Sequence, residues 1–151
     1  MTTESSAAQP LSLRLPAQLD QLPVFLEHVR RVAQVAGLSQ AVVTRLELAV
    51  EEALVNVFHY AYAQQERPGP ALCRASIEGD GVSVAIIDQG PAFDPLARPD
   101  PNTVLELEQR QPGGLGIFMI RQLTDEVRYC REDGQNVLTI RMRKSSASGS
   151  A

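Results

Sequence analysis

Ala71-Leu-Cys-Arg-Ala-Ser-Ile-Glu78 and Val82-Ser-Val-Ala-Ile-Ile-Asp88 are two apolar runs joined by Gly79-Asp80-Gly81. Asp-Gly between such runs is the signature of a β-hairpin. The same pattern returns near the C-terminus, where Glu126–Arg131 and Asn136–Met142 flank Asp133-Gly134. Hairpins, rather than strand–helix–strand crossovers, therefore supply the strand pairs, and the sheet is predicted to be largely antiparallel.

Upstream, Leu11, Leu13 and Leu15 alternate with Ser12 and Arg14, the period of a half-buried strand that Pro16 ends. Leu22, Phe25, Leu26, Val29, Val32, Val35 and Ala36 then recur in steps of three and four, a helical stripe stopped by Gly37. Ser39 is placed to cap a second helix, from about Gln40 to Tyr62, with Leu46, Val50, Ala53, Val57 and Ala61 on one side. Arg67-Pro68-Gly69-Pro70 breaks it. Between the hairpins, Gln89 to Pro112 holds five prolines and reads as a mostly irregular loop, with a short helix over Thr103–Gln109 as the alternative. A third helix is expected from about Ile117 to Leu123. The prediction is an α+β fold: a two-layer sandwich, with about three helices on one face of a mostly antiparallel mixed sheet.

Composition sets the outer limits. A chain of 151 residues, 44% hydrophobic and 21% charged, makes one domain with a real core. With no Trp and 5% aromatics, that core must be mostly Leu, Val, Ile and Ala. Fourteen Lys and Arg against 18 Asp and Glu give a net charge of −4, which argues against direct binding of nucleic acid through its phosphates. No apolar run reaches the roughly 18 residues of a membrane span, and Met1–Pro10 lacks the layout of a signal peptide. Residues 1–10 and 144–151 read as a disordered leader and a flexible tail around a domain spanning 11–143. Cys73 and Cys130 have neither a disulfide framework nor metal-site spacing, and read as reduced thiols of a cytoplasmic protein, a bridge between them being the alternative.

Three clusters can carry chemistry. On the second helix, Glu52 and Asn56 are one turn apart and about 40° from each other around the axis, with Arg45 and His59 on the same stripe. An amide oxygen there can ligate a hard cation such as Mg²⁺, and a carboxylate can accept a proton from a hydroxyl. The same stripe also reads as an ordinary solvated flank. At the end of an apolar strand, Asp88 can accept a hydrogen bond from an exocyclic amine, and Gly90 permits close approach of a flat ring. A plain Asp-x-Gly turn is the alternative. Finally, Gly113-Gly114-Leu115-Gly116 opens a helix, so its backbone N–H groups can cradle phosphates. It is neither a Walker A loop nor a Rossmann fingerprint, and it also reads as a hinge. In this order the clusters supply metal ligand, base selector and phosphate cradle of an ATP·Mg²⁺ site.

The three segments and their spacing resemble the GHKL ATPase superfamily, with its Bergerat ATP-binding fold. Within it they resemble the RsbW/SpoIIAB family of anti-sigma factor serine/threonine kinases. Glu52-Ala-Leu-Val-Asn56 with His59-Tyr60-Ala61-Tyr62 is similar to its N-box. Asp88-Gln-Gly90-Pro-Ala-Phe93-Asp94-Pro95 and Gly113-Gly-Leu-Gly116 through Val127 are similar to its two glycine boxes, and Leu13-Arg-Leu-Pro-Ala17 to its opening. The resemblance covers roughly residues 11 to 143.

It implies Glu52 as the general base toward a partner Ser or Thr, and Asn56 as the ligand of Mg²⁺ on the ATP phosphates. It implies Asp88 as the acceptor of the adenine amine, with Gly90 under the ring. Gly114, Leu115 and Gly116 would contact phosphates, Thr139 would add a water-mediated contact to adenine, and a lid would span about 94–112. The implied partners are a small antagonist of the anti-anti-sigma, STAS type, a sigma factor, and a second copy of the chain. Two departures stand out. Ala92 replaces the second glycine of the general first box. Gln111 and Pro112 stand where some relatives place an Arg before the second box, Arg110 being the nearest. The second departure leaves a rival reading, a non-catalytic ATP-binding module that regulates by sequestration alone.

Overall fold

The computed structural model describes residues 11–97 and 114–144. The expected leader and tail, most of the lid, the Thr103–Gln109 helix, Arg110 and Gly113 lie outside the described residues.

Strand β1 (Leu11–Pro16) leads through a single 3-10 turn into helix α1 (Leu22–Val35), with Pro23 in the first turn, where its missing N–H costs nothing. Phe25, Val29, Val32 and Ala33 form its buried face. Spacing puts Val35 in that stripe, but it is 78% exposed. It lies about 60° behind Val32 around the axis, whereas Ala36, about 40° ahead, is the residue that turns inward. Gly37 ends the helix at φ 88°, where a side chain would be strained. The amides of Gly37 and Leu38 bond back to Gln34 and Ala33, a Schellman closure that buries Leu38.

Ser39 caps helix α2 (Gln40–Tyr60), its hydroxyl accepting from the Val42 amide at 3.3 Å. Val42, Val43, Leu46, Ala49, Val50, Ala53 and Leu54 are buried along it. Complete burial of a side chain such as Leu46 or Leu54 contributes about 1.5–3 kcal/mol, so α2 is held by packing rather than by propensity. Beyond its end, the Tyr62 hydroxyl donates to the Pro70 carbonyl at 2.6 Å and accepts from the Gln89 amide at 2.8 Å. The helix exit is thereby tied to the start of β2 (Pro70–Glu78) and the end of β3 (Gly81–Asp88).

A 3-10 turn at Pro95–Ala97 is the last described element before helix α3 (Gly114–Leu123). Then come β4 (Glu126–Glu132) and β5 (Gln135–Arg143). The strand order is β1-β2-β3-β5-β4, and all four pairings are antiparallel. The first hairpin pairs Glu78 with Gly81, so its turn is Gly79-Asp80 rather than the expected Asp80-Gly81 step. The second turns at Asp133 and Gly134, both at positive φ as a type I′ turn requires.

The helices cover one face of the sheet, and the core between the layers joins Phe25, Leu46 and Leu54 to Val82, Val84, Ile86, Ile140 and Met142. Cys73 lies in that core, where burial pushes its thiol up to about 12; Cys130 is exposed, and no bridge links them. No helix among the described residues is long and apolar enough to cross a membrane.

Candidate functional site

Core packing brings α2, the end of β3, the start of β5 and the start of α3 around one cavity of about 320 Å³. Its walls are mostly apolar, with Ala53, Val57, Ile86, Ile117 and Leu138 among them, and Asp88 is the one charged group lining it among the described residues. An apolar slot with a few convergent polar groups suits a flat heterocycle.

Asp88 is the last residue of β3 and only 7% exposed. Its Oδ1 accepts from the Gly90 amide at 2.8 Å and from Asn136 Nδ2 at 2.9 Å. Its Oδ2 has no partner among the described residues. Gly90 is packed so tightly under the end of α2 that a Cβ there would strike the Ala61 carbonyl. Arg131 holds the Gly90 carbonyl at 2.8 Å and Arg121 holds that of Leu96 at 2.8 Å, so two cations tie down the segment after Asp88.

Asn56 lines the cavity from α2, one turn beyond Glu52. Glu52 lies outside the lining but beside it. A Cβ built on Gly116 would stand 2.7 Å from Glu52 Oε1, so the first turn of α3 rests directly on that carboxylate. Burial, and secondarily the charge of Glu51, pushes the Glu52 carboxyl above its ordinary range. It is thus a stronger proton acceptor than a solvated glutamate.

The glycines lie differently from the expectation of a loop before the helix. Gly114, Leu115 and Gly116 belong to the first turn of α3, which begins three residues before Ile117. Amides of a first turn lack intrahelical acceptors, so they remain available to an anion. The other two polar positions of the α2 stripe do not join the site. His59 is exposed and faces the Tyr60 ring, and neither it nor Arg45 lines the cavity.

Thr139 requires correction. Along β5, Asn136, Leu138, Ile140 and Met142 turn toward the helices, so Thr139 stands on the opposite face, beside Ala85 and Arg128 in the register. It does not line the cavity. Asn136 does, and it touches Asp88 directly. Strand alternation alone, phased on the buried residues of β5, is the signal that singles it out.

For a nucleotide the fit is good: an apolar slot, one carboxylate with an open oxygen, and an amide and a helix start farther along. For a divalent cation, no group of three acidic, His or Cys side chains exists among the described residues. Asn56 suits an ion held mainly by ligand phosphates, the usual habit of Mg²⁺.

A histidine kinase-like ATPase domain model matches residues 15–142, nearly the whole described chain. The chain belongs to that family. Among curated relatives, the serine-protein kinase RsbW of Listeria monocytogenes serovar 1/2a (EGD-e) is 30% identical over 132 residues, covering 85% of this chain and 83% of the relative. The serine-protein kinase RsbW of Staphylococcus epidermidis is 29% identical over 138 residues, covering 89% and 87%. The solved RsbU and RsbW domains of a Mycobacterium tuberculosis protein share the fold, with a TM-score of 0.63 at 20% identity over 89% of this chain and 32% of that one. The chain is therefore an RsbW-like member of the GHKL kinases, and ATP is the nucleotide its family implies.

Proposed function

We propose that this protein is an ATP-dependent serine/threonine kinase of the anti-sigma type. Its protein substrate is a small STAS-type antagonist, and its second partner is a sigma factor that it sequesters. Asp88 receives the adenine amine through Oδ2, and Gly90 lies under the ring. Asn56 offers its amide oxygen to Mg²⁺, and the first-turn amides of Gly114, Leu115 and Gly116 face the phosphates. ATP would supply the phosphoryl group, with ADP as the leaving group, and Mg²⁺ held by Asn56 would neutralise phosphate charge. Glu52 takes the proton from the incoming Ser or Thr hydroxyl. Two copies associate through β1, which ends the sheet and leaves one edge of its backbone unpaired by another strand among the described residues.

The observation that carries this reading is the seat of Glu52. Its carboxylate is partly desolvated and lies against Gly116, at the helix start proposed to hold the phosphates. An ordinary surface glutamate has no reason to be there.

The test incubates radiolabelled ATP with the antagonist and the Glu52→Gln protein. Loss of a positioned general base slows transfer by about 10²–10⁴-fold, with ATP affinity little changed. Glu51→Gln, about 100° away around the helix, retains transfer. Unchanged transfer in Glu52→Gln would overturn the catalytic role in favour of a module that acts by sequestration alone.

A further inference from the structure

The side-chain amide of Asn136 is saturated. Its Nδ2 donates to Asp88 Oδ1 at 2.9 Å and to the Pro91 carbonyl at 2.8 Å. Its Oδ1 accepts from the Phe93 amide at 3.2 Å and from the Tyr129 hydroxyl at 2.5 Å. Two donors and two acceptor sites are all that an amide has. Its orientation is also unambiguous. The Phe93 N–H can only donate and the Pro91 carbonyl can only accept, so the amide cannot be turned over.

The consequence falls on Asp88. Its Oδ1 receives two N–H donors, from Gly90 and Asn136, and is held in place as an acceptor. Only Oδ2 remains for a ligand, and it too can only accept. A ligand atom meeting it must bring a hydrogen: the amine of adenine does, and the carbonyl at the same place on guanine does not.

We propose that Asn136, held by Tyr129 and Phe93, is the positioning residue that sets purine selectivity, fixing Asp88 as an acceptor that takes adenine and rejects guanine. This rests on the reading that Asp88 meets the nucleobase. Without Asn136 the carboxylate loses a fixed N–H donor and can rotate, and the distinction weakens. Unpaired polar atoms facing a wrong ligand are the strongest source of such discrimination.

The test measures ATP and GTP binding by calorimetry in wild type, Asn136→Ala, Asn136→Asp and Asp88→Ala, with folding of each free protein checked by circular dichroism. Wild type prefers ATP. In Asn136→Ala the ATP affinity falls about tenfold, and the ATP-over-GTP ratio narrows at least as much. Asn136→Asp is the variant that a merely structural role cannot explain. At neutral pH it sets two carboxylates against each other and weakens binding. On acidification one shared proton restores the charge and the donor of the wild-type pair, so selective ATP binding returns as pH falls. Among the described residues, the charged or titratable groups around that pair are Tyr129 and Arg131 from β4, Tyr60 from α2 and Tyr62 just beyond its end, and none is a carboxylate. Should Asn136→Ala not fold, Asn136→Ser takes its place. Wild-type selectivity in the Asn136 variants at every pH, with binding lost in Asp88→Ala, overturns this proposal alone. Unchanged binding in Asp88→Ala overturns the reading of the site beneath it.

Discussion

Replacing Gly116 by Ala adds one methyl group at the point where α3 meets α2. The new Cβ would stand 2.7 Å from Glu52 Oε1, 3.6 Å from Glu52 Cβ and 3.7 Å from Cδ. Ordinary contact begins near 3.4 Å, so the carboxylate oxygen must retreat by about 0.7 Å, while the rest of the Glu52 side chain already clears the methyl. The end of a flexible side chain can move that far at little cost. Gly116 is not among the glycines at positive φ, so its backbone accepts Ala, and exchanging Gly for Ala in a helix is itself favourable by up to about 1 kcal/mol. The protein should therefore keep its unfolding temperature or gain slightly. Catalysis should not escape. Displacing a reacting group by 1 Å costs about a hundredfold, so a shift of this size predicts transfer slower by roughly ten- to a hundredfold. ATP affinity, read by calorimetry, should change only a few-fold. Phosphate transfer at wild-type rate would refute the placement of Glu52 as the base. Loss of ATP binding with normal folding would show that Gly116 acts on the phosphates rather than on Glu52.

Further outcomes are expected at Asp88, Asn56, Glu52 and β1. Asp88→Asn presents an amide where adenine needs a fixed carboxylate, and ATP affinity measured by calorimetry should drop about ten- to a hundredfold. Asn56→Ala should abolish the tightening of ATP binding by Mg²⁺ while the circular dichroism spectrum stays unchanged. The Glu52 carboxyl titrates above its ordinary range, so transfer should fall as pH drops through that raised value. The folded state also holds that proton more tightly than the unfolded chain does, so stability contributed at Glu52 falls as pH rises through the same window, and Glu52→Gln should unfold at a higher temperature than wild type near neutrality. Light scattering with ATP present should give the mass of a dimer, and a monomer mass would end the proposed pairing through β1.

What the sequence disclosed and what it hid follow from the range of the forces involved. Periods of two and of three to four report local burial, so β1, α1, α2 and both hairpins could be read close to their observed bounds. The cap at Ser39 and the stop at Gly37 are equally local. The misplaced polar residue on β5 shows the limit. The resemblance points to Thr139, while the alternation of Asn136, Leu138, Ile140 and Met142 puts it on the other face of the sheet, and one step along a strand reverses a side chain completely. The network joining Asn136 to Asp88 spans 48 positions in the chain and depends on the β3–β5 register, which no local pattern encodes. The early start of α3 was hidden for a related reason. Glycines are poor helix formers, so their own propensity gives no sign of the helix start, and Gly116 in its first turn packs closely against Glu52 of α2, a contact no local pattern encodes.

The two ends of the site are built on different principles, and this bears on how the proposed kinase works. At the end proposed for the nucleobase, Asp88, Gly90, Asn136 and Tyr129 hold one another through hydrogen bonds across β3, β5 and β4. Little remains to be ordered there when a ligand arrives, so that end should contribute affinity and selectivity with a small entropic cost. At the end proposed for the phosphates, Glu52 is held half in the protein at some cost in solvation, and its neighbour is the first turn of a helix whose amides lack intrahelical partners. Such groups gain interactions only when an anion and a hydroxyl are present, which is the arrangement that favours the reacting state over the resting one. Binding and transfer should therefore separate by position. Substitutions at Asp88 and Asn136 should act on nucleotide affinity and selectivity, and those at Glu52 and Gly116 on the rate of transfer from nucleotide already bound.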